Sequence, residues 1–216
     1  MQQHDRPAPS RRRRVTRENL IETGIELTLP KLTVKAVAER LGVSIVAIYN
    51  NIESLDALKT EVSEAILRRW TLPMPDNEDS IEQSLATLAD GLKDLVHDNP
   101  GIAEYLAHLD ATSPALTRMN KVQKKYAELY GLSPKQTGWV VVTVVEHSIA
   151  LAELVHVPAG RARNANSEAL KNPDLDFVAQ TVDDKARTED DYWAWSMRAV
   201  IVGAVSLIND PQFDDV

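Results

Sequence analysis

Glu146 and His147, together with His97, His108 and His156, are side chains of this sequence whose types suit acid–base or metal chemistry. Their spacing does not support it. A metal site on a helix needs ligands that share a face, whereas Glu146 and His147 are neighbours and point about 100° apart on a helix. No His-x-x-x-His pair occurs, and there is no Gly-x-Ser-x-Gly elbow, Walker loop or dinucleotide-binding glycine fingerprint. With no cysteine there is no thiol nucleophile, disulfide or cysteine-rich zinc site. The reading is no enzyme, no metal and no cofactor.

The spacing that does carry a mechanism is that of Thr33–Tyr49, TVKAVAERLGVSIVAIY. Thr33 can cap a helix in which Val34, Val37, Ala38 and Leu41 recur at i, i+3, i+4 and i+7. Gly42 stands where a helix ends in the left-handed conformation, Val43 fills the corner, and Ser44 can cap a second helix with Val43, Ala47 and Ile48 inside. Two helices crossing at so short a turn form a helix-turn-helix, whose second helix offers its N-terminal residues to the major groove. There, Ile45, Val46 and Ala47 can read thymine methyl groups but form no bidentate hydrogen bonds; alternatively Val46 and Ala47 pack inward.

Around this motif the sequence predicts only helices. One runs from a Thr16 cap to before Pro30 through Leu20, Ile21, Ile25 and Leu27. A fourth runs from a Ser54 cap to about Trp70, with a stripe at Leu55, Leu58, Val62, Ala65, Ile66 and Trp70, closed by Pro73 and Pro75. Further helices are predicted over 80–97, 102–109, 114–130, 134–157 and 190–208, the last two apolar around almost the whole circumference. Residues 1–15 read as a disordered basic arm, and 158–189, without a period, as a mobile excursion. The organisation is then an arm at 1–15, a DNA-binding head at 16–53 and a helical body at 54–216. The longest apolar run, WVVVTVV, is too short to cross a bilayer, so the expectation is a cytoplasmic protein with no membrane partner.

Charge divides unevenly. Residues 1–70 hold 12 Lys and Arg against 9 Asp and Glu, net +3, and residues 71–216 hold 12 against 23, net −11. Attraction to nucleic acid must therefore come from a local basic surface of Arg11–Arg14, Arg17, Lys31, Lys35 and Arg40. The arginine run can enter a minor groove or remain a solvated tail.

The order of elements, and Thr33, Val37, Ala38, Gly42, Val43, Ser44, Ile48, Tyr49 and Leu58 in register, resemble the tetracycline-repressor (TetR) family of bacterial regulators, chiefly over residues 16–70. The resemblance implies an all-α fold: a three-helix head and a helical body that binds a small effector and forms a homodimer through its last long helices. It implies that Lys35 and Ser44 approach double-stranded DNA and that the Tyr49 hydroxyl meets a phosphate; capping alone for Ser44 and a half-buried ring for Tyr49 are the plainer alternatives. Departures fall at the DNA surface. Val46 stands where a small residue is usual, Asn50 and Asn51 replace an aromatic or histidine pair, and Leu55 replaces a lysine. The link between the first two helices is about one turn shorter than usual, with Pro30 for the common glycine.

In the body, Tyr105, His108, Met119, Trp139, Glu146 and His147 are candidates to line an effector pocket, alongside Trp70 and Tyr126, although large apolar residues at helical spacing are most often core. The expected effector is mainly apolar or aromatic. The function implied is a ligand-responsive regulator, a repressor that binds an inverted-repeat operator as a dimer. The alternative is a helical interaction protein whose DNA head has drifted out of use.

Overall fold

The structure, a computed structural model, describes residues 15–155, 174, 188–211 and 213. The arm at 1–14 and nearly all of the excursion at 158–189 lie outside the described residues, as does His156. Among the described residues every regular element is a helix. The chain forms two compact units that part between Leu67 and Arg68. The division into 16–53 and 54–216 sorts the chain by what each part would do; the compact units part later, in the last turn of the fourth helix.

The first unit contains α1 (Arg17–Leu27), a 3-10 turn (Leu29–Lys31), α2 (Val34–Leu41), α3 (Ile45–Tyr49) and most of α4 (Leu55–Arg69). Each helix starts where a short hydroxyl side chain can accept an otherwise unpartnered backbone N–H. Thr16 accepts from Asn19, Thr33 from Ala36, Ser44 from Ala47 and Ser54 from Ala57, at 3.0–3.2 Å. The core gathers Leu20, Leu32, Val37, Ile48, Leu58 and Val62, all essentially inaccessible.

Two features of this core differ from the expected pattern. On α1 the buried face is Leu20, Thr23 and Gly24, while Ile21, Ile25 and Leu27 are half-buried. A Cβ on Gly24 would collide with Val62 of α4, so glycine here lets the two helices approach. The short link after α1 is made by Thr28, which adopts φ 66° and ψ 149° as the one described non-glycine residue with positive φ. Pro30 then sits in the first turn of the 3-10 segment. A reversal that glycine usually makes is thus carried by a threonine at a cost in strain.

The second unit contains α5 (Ile81–Asp98), α6 (Ile102–Ala107), α7 (Pro114–Tyr130), α8 (Pro134–Val155) and α9 (Glu189–Ile208). Reciprocal capping boxes start α5 at Ser80 and Gln83 and α9 at Thr188 and Asp191. Helix α6 is shorter than the expected 102–109 and is capped by His108, whose Nδ1 lies 3.0 Å from the Glu104 carbonyl oxygen.

Helix α8 packs against α5, α6, α7 and α9 and buries Val140, Val141, Val144, Ser148 and Ala152. Its length and composition over Pro134–Leu154 would suffice to cross a membrane, which the seven-residue run alone understates. Part of that stretch, including Val140, Val141 and Val144, packs against the neighbouring helices, while Trp139, Val142 and Leu154 are exposed. Polar ties fix the neighbours: Gln136 Nε2 donates to the Ile208 carbonyl at 2.8 Å, Trp193 Nε1 donates to Asp90 at 2.8 Å, and the Ser84 and Tyr130 hydroxyls share a 2.7 Å hydrogen bond.

Candidate nucleic-acid interface

The head presents α3 through the geometry of Gly42. At φ 68° and ψ 38° this residue ends α2 in the left-handed conformation, and its N–H reaches the carbonyls of Ala38 and Glu39. Val43 N–H also donates to the Ala38 carbonyl, at 3.0 Å, which completes the closing turn of α2. Ser44 then caps α3, and Ile48 is the fully buried anchor that holds this short helix on the core.

With Ile48 inside, the opposite arc of α3 faces outward. Val46 is 68% exposed, Tyr49 54% and Ile45 46%, while Ala47 is half-buried. Inward packing of Val46 is therefore not what the fold does; it stands out from the surface. Asn50 and Asn51 are exposed at the end of α3, and Asn51 Nδ2 donates to the Ala47 carbonyl at 2.9 Å, holding the last turn. Lys35, on α2, is exposed and 3.9 Å from Glu39. The structure thus brings Lys35, Ser44, Ile45, Val46, Tyr49, Asn50 and Asn51 to the surface of one unit, with Ala47 beneath.

The expected basic surface is largely balanced by carboxylates. Arg17 makes a two-pronged ion pair with Glu61, at 2.6 and 2.8 Å, and this partner raises the guanidinium pKa. Arg40 lies 3.3 Å from Glu26. Residues 15–67 hold 5 Lys and Arg against 8 Asp and Glu, net −3, so the positive excess of the N-terminal part resides in residues 1–14 and in Arg68 and Arg69. The sum over residues 1–70 concealed this.

In the body, the candidate effector residues are spread over three helices. Trp139 and Glu146 line one groove of about 440 Å³ on the outer face of α8, with Lys135, Val142 and Thr143. His147 is half-buried, with Nε2 3.2 Å from the Ser196 hydroxyl oxygen on α9. Tyr105 and His108 lie on and at the end of α6, the first half-buried and the second exposed, and Met119 is half-buried on α7. A second groove, of about 510 Å³, runs between α5 and α9 past Asp90, Trp193, Met197, Arg198 and Ile201. Sequence reasoning had not singled out these residues, because the groove depends on how two distant helices pack. Among the described residues no group of three or more acidic or histidine side chains could hold a metal ion.

No family model and no curated protein matches the chain. Solved structures do match it. It is similar to the Streptomyces coelicolor TetR family protein ActR in complex with actinorhodin, with a TM-score of 0.73 and 13% identity over 91% of this chain and 99% of that one. A transcriptional regulator described as a TetR from Streptomyces coelicolor matches at a TM-score of 0.67 and 18% identity, over 91% and 100% of the two chains. A TetR variant from Acinetobacter baumannii AYE in complex with minocycline matches at 0.64 and 19%, over 91% and 99%. At such identities the likeness is one of fold, and by it the chain has the all-helical fold of the TetR-family regulators.

Proposed function

We propose that the protein is a homodimeric, ligand-responsive transcriptional regulator of the cytoplasm, a repressor that binds double-stranded DNA through α2 and α3 and is released by a small, mainly apolar effector. The observation that carries this reading is the crossing of α2 and α3 at Gly42, which buries Ile48 and leaves the first turn of α3 exposed. The assembly is suggested by apolar side chains left on the body surface: Trp139, Val142 and Leu154 on α8, and Tyr192, Trp195 and Leu207 on α9. An apolar surface of that extent on two adjacent helices is one that a second copy can cover by forming a four-helix interface. Two structures of the same fold hold actinorhodin and minocycline, which supports an effector role for the body.

The release mechanism follows from continuity of the chain. Helix α4 starts in the first unit and its last two residues, Arg68 and Arg69, belong to the second. A ligand that binds one placement of α4 better than another shifts the spacing of the two recognition helices, and a dimer that cannot engage both half-sites loses the gain of bivalency. The same differential binding raises the thermal midpoint. Screening hydrophobic and aromatic compounds for a raised midpoint should return ligands that also lower DNA affinity. Stabilisation by nucleotides or sugar phosphates alone would refute the apolar-effector reading.

Two observations favour a second reading. The net −3 of residues 15–67 and the apolar tip of α3 fit an interaction protein with a drifted head. Selection from random duplexes decides between them: an enriched inverted repeat with half-site centres about 34–36 Å apart, or a multiple, supports the regulator. No enrichment supports the drifted head.

A further inference from the structure

The exposed arc of α3 contains Ile45, Val46 and Tyr49, and the polar groups flanking it are engaged in building the helix. Ser44 Oγ accepts the Ala47 N–H at 3.2 Å, and Asn51 Nδ2 donates to the Ala47 carbonyl at 2.9 Å. Asn50 lies at the C-terminal end, away from the turn that enters a groove first. The leading turn therefore offers no side chain that can fork to guanine or adenine, and what it does offer is methyl groups. In the major groove one base edge presents an apolar group, the C5-methyl of thymine.

Three side chains on a five-residue helix are far short of the roughly 800 Å² that each partner gives to a stable protein interface. They match a short row of methyl groups instead. At about 1.5 Å rise per residue, α3 spans about two base steps of about 3.4 Å. We infer that Ile45 and Val46 determine sequence specificity by apolar contact with thymine methyl groups at two or three adjacent positions of each half-site. This inference rests on the proposed DNA-binding function.

The test uses the full chain and the half-site returned by selection from random duplexes. Replacing each thymine singly by deoxyuridine keeps base pairing and removes only the methyl group. At two or three adjacent positions the change should weaken binding about three- to fivefold, the transfer value of one buried methyl or methylene group. Val46→Ala, at an exposed site where the thermal midpoint should not move, should weaken binding to the thymine duplex and cause no further loss on the deoxyuridine duplex. An enriched half-site without thymines, or one in which every deoxyuridine substitution changes affinity less than about 1.5-fold, would overturn the methyl readout while leaving DNA binding intact. Failure to enrich any half-site would overturn both.

Discussion

Thr28 carries the clearest local cost among the described residues. Its φ of 66° and ψ of 149° lie where a Cβ is unwelcome, and the neighbouring Pro30 leaves the chain little freedom to turn elsewhere. Thr28→Gly should therefore stabilise the first unit by about 1 kcal/mol, the relieved strain exceeding the extra entropy that glycine gives the unfolded chain. Chemical denaturation followed by a signal from this unit would register the gain; a loss would mean that the threonine side chain makes contacts worth more than the strain. In the body, Tyr126 is almost fully buried, with its ring centroid 5.7 Å from that of Tyr130, and burial pushes its hydroxyl above the ordinary phenol range. A raised folded-state pKa means that the protonated form is favoured by folding. The contribution is complete below about pH 10, the ordinary tyrosine value, and is lost as pH rises beyond it. Stability should fall on alkaline titration above about pH 10, and Tyr126→Phe should make that decline shallower.

Helix α1 shows most directly how packing overrides an apolar pattern. The sequence places Leu20, Ile21, Ile25 and Leu27 on its inner face, but the face that packs is Leu20, Thr23 and Gly24, because the absence of a side chain at Gly24 admits Val62. Gly24→Val should cost about 2 kcal/mol or more by overpacking, measured as a drop in the denaturation midpoint, with α9 and the body unaffected. A stability unchanged within about 0.5 kcal/mol would show that α1 and α4 can separate without cost. The helix starts were legible, because Thr16, Thr33, Ser44, Ser54 and Ser80 act on a backbone N–H three residues away. So was the turn at Gly42, which is equally local. The early end of α6, the conformation of Thr28 and the groove between α5 and α9 were not, since each depends on residues distant in sequence or on side-chain competition at a cap. At the candidate site, the residue types and the inward place of Ile48 were legible, whereas the exposure of Val46 was not, because the sequence alone also allowed it to pack inward.

For the whole molecule, charge and apolar surface make separate demands. Because residues 15–67 are acidic on balance, long-range attraction to DNA under the proposed function would rest on the arginines of 1–14, together with Arg68 and Arg69. In the proposed assembly a second copy covers the exposed face of α8 and α9, where Trp195 is 67% exposed. Trp195→Glu places a charge on that face and should convert a dimer into a monomer in sedimentation at micromolar concentration; a wild-type protein that is already monomeric would remove the basis for bivalent DNA binding. The central claim is that the α2 and α3 surface reads DNA, and it is tested most directly by comparing affinities for a selected inverted repeat and for a shuffled duplex at a fixed salt concentration near 0.15 M. The expected result is a preference of about 10³-fold or more, reduced by Tyr49→Phe and by Lys35→Ala, the lysine change also lowering the salt slope by about one unit. Equal affinity for the two duplexes within about threefold, unmoved by either substitution, would contradict it.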